Sequence, residues 1–531
     1  MSTMDRGEVA ASEHRPPRWW GVVVGLVAAG SGLAVGEFVA GFSRNLRSPV
    51  VNVGERVRDQ APKWLREFAI RTFGAESDKK VAIWTIVGVI LITAAIVGIF
   101  AVRGRKQLGT GFALVFGVLG AMAALNSAGA GFGSIFPALL AAITAAMVLR
   151  WGAHLARPAV APVRGAAREP KLAPVAAVDR RRFLIHSGGL AVGALLVLAV
   201  GRNLQSRFNS QLARAGVRVP TAKTPLPVPP SDPALVVANQ GLSSLFTPNK
   251  SFYRIDTAFQ VPSVSLGSWK LKVSGLVDHP LSLTFDDLAA RPLFESDVTI
   301  SCVSNDVGGN LVGNARWLGC RLDDLLHEAG IQSAADQVLG ISVDDFTAGF
   351  PVSTLDGRAA MVAIAMNGEA LPVEHGFPAR IIVPGLYGYV SAVKWLSEIK
   401  LTTFAQDQGY WIPRGWSQLG PIKTQSRIDT PSSNIKVGTH VIAGIAWAPT
   451  RGVSKVEVQV DDAAWVVATL GPALNNNTWR QWWTEWDATA GRHQIRVRAT
   501  DGTSATQTDT LADVAPNGAT GWHTIGLNVT T

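Results

Sequence analysis

The chain has 531 residues, of which 17% are charged and 47% are hydrophobic; an average soluble domain has about 25% charged residues. This composition argues against a wholly soluble cytosolic enzyme, and the length corresponds to three or four domains of roughly 150 residues. The net charge of +10 suits an anionic membrane or nucleic acid. Because the arginines flank apolar segments, we expect a membrane and no nucleic-acid partner.

Five apolar segments each approach the roughly 20 residues that a helix needs to cross a bilayer. They are Trp19 to Phe42, Val81 to Val102, Gly111 to Ala128, Ser134 to Leu149 and Phe183 to Gly201. A small-residue turn at 129–133 separates the third and fourth segments, which predicts a tight helical hairpin. Glu37 lies in the first segment, either as a functional intramembrane carboxylate or as a helix-end residue that reaches the interface. Residues 1–202 are therefore predicted to be an α-helical transmembrane region with about five spans.

The positions of lysine and arginine predict the orientation of these spans. With the N-terminus inside, Arg103 and the basic run from Arg150 to Arg182 are cytoplasmic, and everything after Gly201 is outside. The loop from Ser43 to Lys80 conflicts with this scheme because it is also basic, and its segment 62–68 is typical of an interfacial amphipathic helix. We expect a multi-pass cell-membrane protein whose C-terminal part is extracytoplasmic.

The fifth span opens with Arg180-Arg181-Arg182-Phe183-Leu184, and a weakly apolar stretch follows. This run resembles a twin-arginine export signal, whose pattern is two arginines, any residue and then Phe-Leu. The alternative is an ordinary positive-inside anchor. The distinction matters because the twin-arginine pathway moves proteins that have already folded around a cofactor.

Three further regions follow the spans. Residues 203–250 are polar and rich in proline, which predicts a semi-rigid linker. Residues 251–415 combine strand-like alternation with helical spacing and predict an α+β domain. In residues 416–531, strict alternation at 455–460 and 494–499 predicts an immunoglobulin-like β-sandwich.

The two cysteines of the chain exclude a disulfide framework, and their spacing does not match a zinc site. Cys320 opens a predicted helix and is best explained as a small buried hydrophobic residue. Cys302 follows an apolar strand and precedes a loop with Gly308 and Gly309. A thiolate in such a place can face a ligand, and thiolates favour soft or high-valent metals.

Five motifs occur in order in the second half of the chain. They are Phe252-Tyr253-Arg254, Trp269 to Gly275, Cys302 to Asn305, His375 to Arg380, and Val383-Pro384-Gly385 with Val393-Lys394-Trp395. Together with the predicted β domain, they resemble the sulfite oxidase family of molybdopterin enzymes over residues 251 to about 515. With the predicted spans, the chain is similar to a membrane-anchored bacterial type of this family.

The resemblance implies a molybdenum atom held by the dithiolene sulfurs of a pterin and by one cysteine, which corresponds to Cys302. It further implies that the phosphate end of the pterin is bound by Arg380, Ser391 and Lys394. The pterin, or the oxo groups of the metal, would contact His375, Tyr253, Arg254 and Asn305, with Arg254 as a second catalytic residue. Arginine forks and lysine ammonium groups both suit phosphate. The alternative for each residue is a surface salt bridge or a strand-end cap.

The resemblance also implies oxygen-atom transfer with two-electron chemistry on a small substrate. Sulfite-oxidising members surround their dianionic substrate with basic side chains. Here Asn305 is followed by Asp306, and Arg254 is followed at two residues by Asp256. Carboxylates oppose a nearby anion by roughly a few kcal/mol at close range. A neutral sulfoxide or N-oxide is therefore an alternative substrate to sulfite.

Other expectations concern the surroundings of the site. Tyr387 and Tyr389 are both candidates for the tyrosine that family members place near the metal. Trp411 and Trp416 are expected to pack between the two domains rather than to line the substrate entrance.

The sequence has no c-type haem motif and no iron-sulfur cysteine cluster, so the membrane part is an anchor or a contact for a quinone or cytochrome electron partner. The family's dimerisation domain implies a homodimer. The alternative to an enzyme is a cofactor-free, membrane-tethered binding or scaffold protein.

Overall fold

The computed structural model describes residues 16–43, 46–62, 68, 72, 78–127, 130–156, 180–206, 210–229 and 241–531. The chain divides into two compact units, Met1–Phe208 and Asn209–Thr531. Most of the predicted interfacial helix at 62–68 and most of the basic run between 150 and 182 lie outside the described residues.

All the regular secondary structure in the described residues of the first unit is helical. Its helices are α1 (Arg18–Ala40), α2 (Pro49–Gln60), α3 (Asp78–Val102), α4 (Lys106–Leu125), α5 (Phe136–Leu155) and α6 (Arg180–Ser206), and a short 3₁₀ turn, Phe132–Ile135, precedes α5. Five helical segments in the described residues, those of α1 and α3 to α6, are long and apolar enough to cross a membrane. The five predicted apolar helices are therefore confirmed.

Contacts at both ends of α1 and α6 show that these two helices are parallel. Near their first turns, the rings of Trp20 and Phe183 stack with centroids 4.1 Å apart. Near their last turns, the side-chain amide of Gln205 donates to the Glu37 carboxylate at 3.0 Å. The same carboxylate accepts a hydrogen bond from the Ser48 hydroxyl. Glu37 thus lies near a helix end and is hydrogen-bonded to two neighbouring segments.

Small residues allow the other helices to approach closely. A Cβ atom added to Gly25 of α1 would lie 1.9 Å from the carbonyl oxygen of Ala94 in α3. Along α4, Gly109 faces Leu149 near the end of α5, whereas Gly120 faces the start of α5. The helices α4 and α5 are therefore antiparallel, and the predicted hairpin of the third and fourth spans is confirmed.

The second unit begins with an α+β region. In chain order it contains α7 (Ser210–Ala215), β1 (Leu271–Gly275), β2 (Leu281–Leu283), α8 (Phe285–Ala289), β3 (Leu293–Ser301), β4 (Val312–Arg321), α9 (Leu322–Ala329), β5 (Gln337–Ser342), β6 (Thr347–Pro351), β7 (Met361–Met366), β8 (Glu369–Ala370), β9 (Arg380–Ile382), α10 (Gly388–Ser391) and β10 (Leu396–Thr402). One sheet has the order β2-β1-β10-β5-β6, and the other has the order β3-β4-β7-β8 with β9 paired to β7. Both sheets and helix α9 contribute to one hydrophobic core.

Part of the proline-rich segment lies against this α+β region. The backbone N–H of Lys223 donates to the Leu293 carbonyl at 2.9 Å, and the N–H of Leu226 donates to the Glu295 carboxylate at 2.7 Å. Residues 230–240 lie outside the described part of the chain. Residues 223–226 of the predicted linker are thus hydrogen-bonded to strand β3.

The rest of the second unit is a pair of β-sheets. Its strands are β11 (Gln425–Thr430), β12 (Ile435–Lys436), β13 (Gly438–Trp447), β14 (Val453–Val460), β15 (Val466–Val467), β16 (Thr469–Leu470), β17 (Arg480–Ala488), β18 (Gly491–Asp501) and β19 (His523–Thr530). The sheet orders are β11-β13-β17-β16 and β12-β19-β18-β14-β15. Buried residues of both sheets, such as Ile442, Trp482 and Ile495, share one core. The β-rich C-terminal region is confirmed, and its immunoglobulin type stays a prediction.

Candidate functional site

Cys302 lies where the pairing of β3 with β4 ends. The last pair is Ser301 with Val312, and the N–H of Cys302 still donates to the Leu311 carbonyl at 2.9 Å. The chain then turns, and the N–H of Ser304 points at the Cys302 sulfur at 3.4 Å. The thiol is buried, and this burial raises its pKa. Metal coordination would remove the proton from such a thiol.

Asn305 closes the same turn. Its N–H donates to the Cys302 carbonyl at 3.1 Å, and its side-chain oxygen accepts from the N–H of Leu311 at 2.7 Å. Its side-chain nitrogen is buried and has no hydrogen-bond partner among the described residues. Because buried polar groups are normally hydrogen-bonded, this nitrogen is a donor available to a bound group. The neighbouring Asp306 is exposed.

Arg380 is a buried cation in β9. Its Nη1 donates to the His375 carbonyl at 3.0 Å, and its guanidinium lies 5.1 Å from the ring centroid of Trp317. Its Nε is buried without a partner, and no described carboxylate lies within ion-pair distance of it. Burial lowers the pKa of Arg380 to about 10. An unpaired buried cation is costly, so this side chain fits an anionic ligand.

Lys394 and Arg254 share one carboxylate. The Asp256 side chain is 3% exposed and accepts from Arg254 Nε at 2.8 Å and from Lys394 Nζ at 3.0 Å. Lys394 also donates to the Glu374 carbonyl at 3.2 Å. Burial lowers the pKa of Lys394 to about 8, although Asp256 opposes this shift. The sequence did not predict this ion pair, because 138 residues separate its partners.

His375 ends a short 3₁₀ turn and is held by the backbone. Its Nε2 lies 3.0 Å from the Asn249 carbonyl oxygen. Burial, followed by the positive charge of Arg380, lowers the pKa of His375 to about 4, so the ring is neutral at neutral pH. The hydrogen bond to a carbonyl assigns the proton to Nε2, which leaves Nδ1 as an acceptor.

Two tyrosines are electrostatically coupled to Cys302. Burial of the Tyr253 hydroxyl, then the nearby Cys302, raise the pKa of Tyr253, whereas Arg380 opposes this change. Burial raises the pKa of Tyr387 to about 12, and Cys302 contributes to the increase. The hydroxyl of Tyr389 instead donates to the Ser417 carbonyl at 2.6 Å. Of the two candidates, Tyr387 is therefore the one whose pKa is influenced by Cys302.

The remaining expected residues have structural contacts. The Ser391 hydroxyl is buried and donates to the carbonyls of Leu386 and Tyr387, at 3.4 and 3.1 Å. Trp411 and Trp416 both pack against the main core, and their position between the two domains stays a prediction. Cys320 lies in β4, not at a helix start, and is 3% exposed.

These contacts form one network of buried or partly buried groups. It contains Tyr253, Arg254, Asp256, Cys302, His375, Arg380 and Lys394, which influence one another electrostatically. Asn305 and Ser391 join it through the backbone of Cys302 and Tyr387. The unpartnered nitrogens of Asn305 and Arg380, together with a buried thiol, fit a ligand that is anionic at one end and bears a metal at the other.

The region that contains Cys302, His375, Arg380 and Lys394 is similar to known proteins. Residues 258–411 match the family described as "Oxidoreductase molybdopterin binding domain". The uncharacterized oxidoreductase YuiH of Bacillus subtilis is 38% identical over 152 residues, which cover 29% of this chain and 74% of that protein. Human mitochondrial sulfite oxidase is 28% identical over 320 residues, or 50% of this chain. The alignment spans only 58% of the length of this human relative.

Among solved structures, the sulfane dehydrogenase SoxCD from Paracoccus pantotrophus is similar to this chain, with a TM-score of 0.48 and 23% sequence identity. The match covers 54% of this chain and 82% of the SoxCD chain. The expected molybdopterin domain and its cofactor are confirmed by the domain match and by the sulfite oxidase relatives, which sets aside the alternative of a cofactor-free scaffold. The chain belongs to the sulfite oxidase family of molybdopterin-dependent oxidoreductases and is an enzyme that depends on a molybdenum-molybdopterin cofactor.

Proposed function

We propose that this chain is a membrane-anchored, extracytoplasmic enzyme that transfers an oxygen atom to or from a small substrate such as a sulfoxide, an N-oxide or sulfite. The observation that carries the proposal is that one buried side chain, Tyr253, interacts electrostatically both with a buried thiol, Cys302, and with a buried guanidinium, Arg380, that lacks a carboxylate partner among the described residues. A thiol and a free cation in one buried network suit the two ends of a metal-bearing pterin phosphate.

The residues of the network would divide the binding between them. Cys302 is the metal ligand, and Arg380, Lys394 and Ser391 bind the phosphate end. The side-chain amide of Asn305 donates a hydrogen bond, and the neutral ring of His375 accepts one at Nδ1. When bound, the cofactor supplies oxygen-atom transfer and two-electron redox chemistry.

The protein's part in turnover is to bind, orient and protonate the substrate. Reduction of a sulfoxide consumes two electrons and two protons and releases a thioether and water. The Tyr253 and Tyr387 hydroxyls have raised pKa values and therefore stay protonated, so each can donate a hydrogen bond. Arg254 is 32% exposed on its side chain and is the catalytic cation that faces the substrate.

Several features support an extracytoplasmic location. If the five apolar helices found in the described residues all cross the membrane, Ser206 would lie on the opposite side from the start of α1, which agrees with the parallel directions of α1 and α6. Arg103, Arg105 and the run Arg180 to Arg182 lie at the helix ends on the side where α1 begins. Because basic residues favour the cytoplasm, residues 251–415 and 416–531 would function outside, following a linker at 203–250 and export by the twin-arginine-like run.

The proposal includes two partners. The membrane region would anchor the enzyme or contact a quinone or cytochrome that exchanges electrons with it. The C-terminal sandwich, which we infer to be of immunoglobulin type, would form a homodimer.

Replacing each cysteine in turn tests the proposal. Full-length Cys302→Ser, expressed with cofactor supplied, is expected to fold but to lose turnover of sulfite, sulfoxides and N-oxides with artificial dyes. Cys320→Ser is the matched control, because Cys320 is also buried and free but lies outside the network. It should retain about one molybdenum per chain and its activity. Full turnover by Cys302→Ser would overturn the proposal.

A further inference from the structure

Asp256 is a buried carboxylate that forms ion pairs with two cations of the network, Arg254 and Lys394. Its side chain is 3% exposed, less than those of Arg254 at 32% and Lys394 at 10%. One of its oxygens, Oδ2, accepts from both partners. Arg254 and Asp256 are two residues apart in an extended stretch without helix or strand. A buried carboxylate that contacts two cations fixes both side chains, whereas a surface salt bridge would hold neither.

The charges of the network can be counted from these contacts. Arg254, Arg380 and Lys394 are cations, and Asp256 is the anion among them. His375 is neutral because its pKa is lowered to about 4, and the Glu374 carboxylate contacts Gln211 at the surface. Before the cofactor binds, when the Cys302 thiol is protonated because its pKa is raised, these described groups therefore have a net charge of +2. A terminal phosphate monoester has a charge of about −1.5 to −2 at pH 7.

We propose that Asp256 is a specificity-determining residue that removes the positive charge a dianionic substrate would need. With the cofactor phosphate on Arg380 and Lys394, the charge of the network is already balanced, and Arg254 faces the substrate with its own charge paired to Asp256. The site then selects uncharged substrates, the sulfoxides and N-oxides, over sulfite. This inference rests on the proposed function, because it uses the phosphate position assigned there.

Sulfate is a suitable probe, since it is a dianion of the size of sulfite and undergoes no turnover. Its affinity is measured by titration calorimetry on the molybdenum-loaded full chain, per bound molybdenum and at constant ionic strength. Asp256→Asn adds one net positive charge and should bind sulfate about tenfold more tightly. Arg254→Gln removes one positive charge and should bind sulfate about tenfold more weakly. The double variant has the same net charge as wild type and should bind sulfate with close to the wild-type affinity.

A purely structural role for Asp256 is distinguished by a control. Asp297 is equally buried, at 4% exposure, and is paired with Arg316. Asp297→Asn should lower thermal stability as Asp256→Asn does, yet leave sulfate affinity and turnover unchanged. If Asp256→Asn, and with it the double variant, does not load molybdenum, Arg254→Gln should still bind sulfate about tenfold more weakly than wild type. Equal sulfate affinity across the loaded variants would overturn the inference.

The same variants separate this inference from the proposed function. Wild-type enzyme that oxidises sulfite and reduces no sulfoxide or N-oxide would contradict the inferred substrate class. Loss of the tenfold steps in sulfate affinity, with sulfoxide reduction intact, would contradict only the role of Asp256. Absence of molybdenum from every loaded preparation would contradict the cofactor site itself.

Discussion

Arg380 and Lys394 are both buried cations, but they are compensated differently. Lys394 contacts Asp256 at 3.0 Å, whereas Arg380 contacts a backbone carbonyl and the face of Trp317. Replacing a buried ion pair by apolar side chains of similar volume is often neutral or stabilising by about 1–4 kcal/mol, and a buried cation without a carboxylate has no attraction that offsets its desolvation. Arg380 therefore lowers the stability of the cofactor-free protein.

This difference predicts opposite effects on stability and on cofactor binding. Arg380→Met should raise the thermal stability of the cofactor-free protein and reduce its molybdenum content severalfold after cofactor-replete expression. Arg316→Met is the control, because it leaves Asp297 unpaired; it should lower stability by about 3 kcal/mol and leave molybdenum content unchanged. Unchanged molybdenum content in Arg380→Met would remove Arg380 from the phosphate site.

His375 predicts how acid affects the fold. Its pKa is about 4 in the folded protein against about 6.5 in an unfolded chain. Between these values the unfolded chain binds more protons, so the free energy of unfolding falls as pH falls from about 6.5 to 4, by up to about 3 kcal/mol. Above pH 6.5 the residue contributes no pH dependence.

This pH dependence is measured by thermal unfolding of the cofactor-free chain in detergent. The measurements are made at about pH 7.0, 5.5 and 4.5, which roughly span the range between the two pKa values. His375→Gln should flatten the pH dependence, whereas His279→Gln, at an exposed position, should retain the wild-type slope. Equal slopes for wild type and His375→Gln would show that His375 takes up its proton without unfolding.

At the scale of elements, close helix contacts determine the stability of the helical first unit. In α1, a Cβ atom at Gly25 would overlap the backbone of α3, but one at Gly30 would have no atom within 4 Å. Gly25→Val should therefore separate the helices and destabilise the unit by about 1–3 kcal/mol or more. Gly30→Val, the matched control, should have little effect. Helix unfolding followed by circular dichroism in detergent tests this pair, and equal melting temperatures would exclude the contact.

The elements were predictable to different extents. Apolar length alone identified the five long apolar helices. Helix α6 nevertheless begins at Arg180 rather than at Phe183, because it continues through basic residues that a hydrophobicity pattern excludes. The register of Tyr387 and Tyr389 was not predictable, since α10 has only four residues and offers no periodicity.

The site was predictable where it depends on local motifs. Cys302, His375 and Arg380 occupy strand ends and turns that the sequence indicated, and the structure joins them in one network. The contact of Asp256 with Lys394 depends on tertiary packing across 138 residues. From the sequence, Asp256 could only be interpreted as a carboxylate that repels an anionic substrate. The structure shows that it also forms ion pairs with two cations.

At the scale of the whole molecule, the proposed topology predicts which residues a membrane-impermeant thiol reagent reaches. Arg105→Cys is exposed between α3 and α4 and should be protected in intact cells, whereas Ala130→Cys and Ala463→Cys, also exposed, should be labelled. The two native cysteines are buried, which keeps the background low. If only Arg105→Cys were labelled, the orientation in the membrane would be opposite to the proposed one.

The central claim is that one protein sulfur, at Cys302, binds the molybdenum. X-ray absorption at the molybdenum edge, on the purified and loaded full chain, tests it most directly. Wild type and Cys320→Ser should give the same number of sulfur neighbours, and any metal retained by Cys302→Ser should have one fewer. An identical sulfur count in all three proteins would contradict the account.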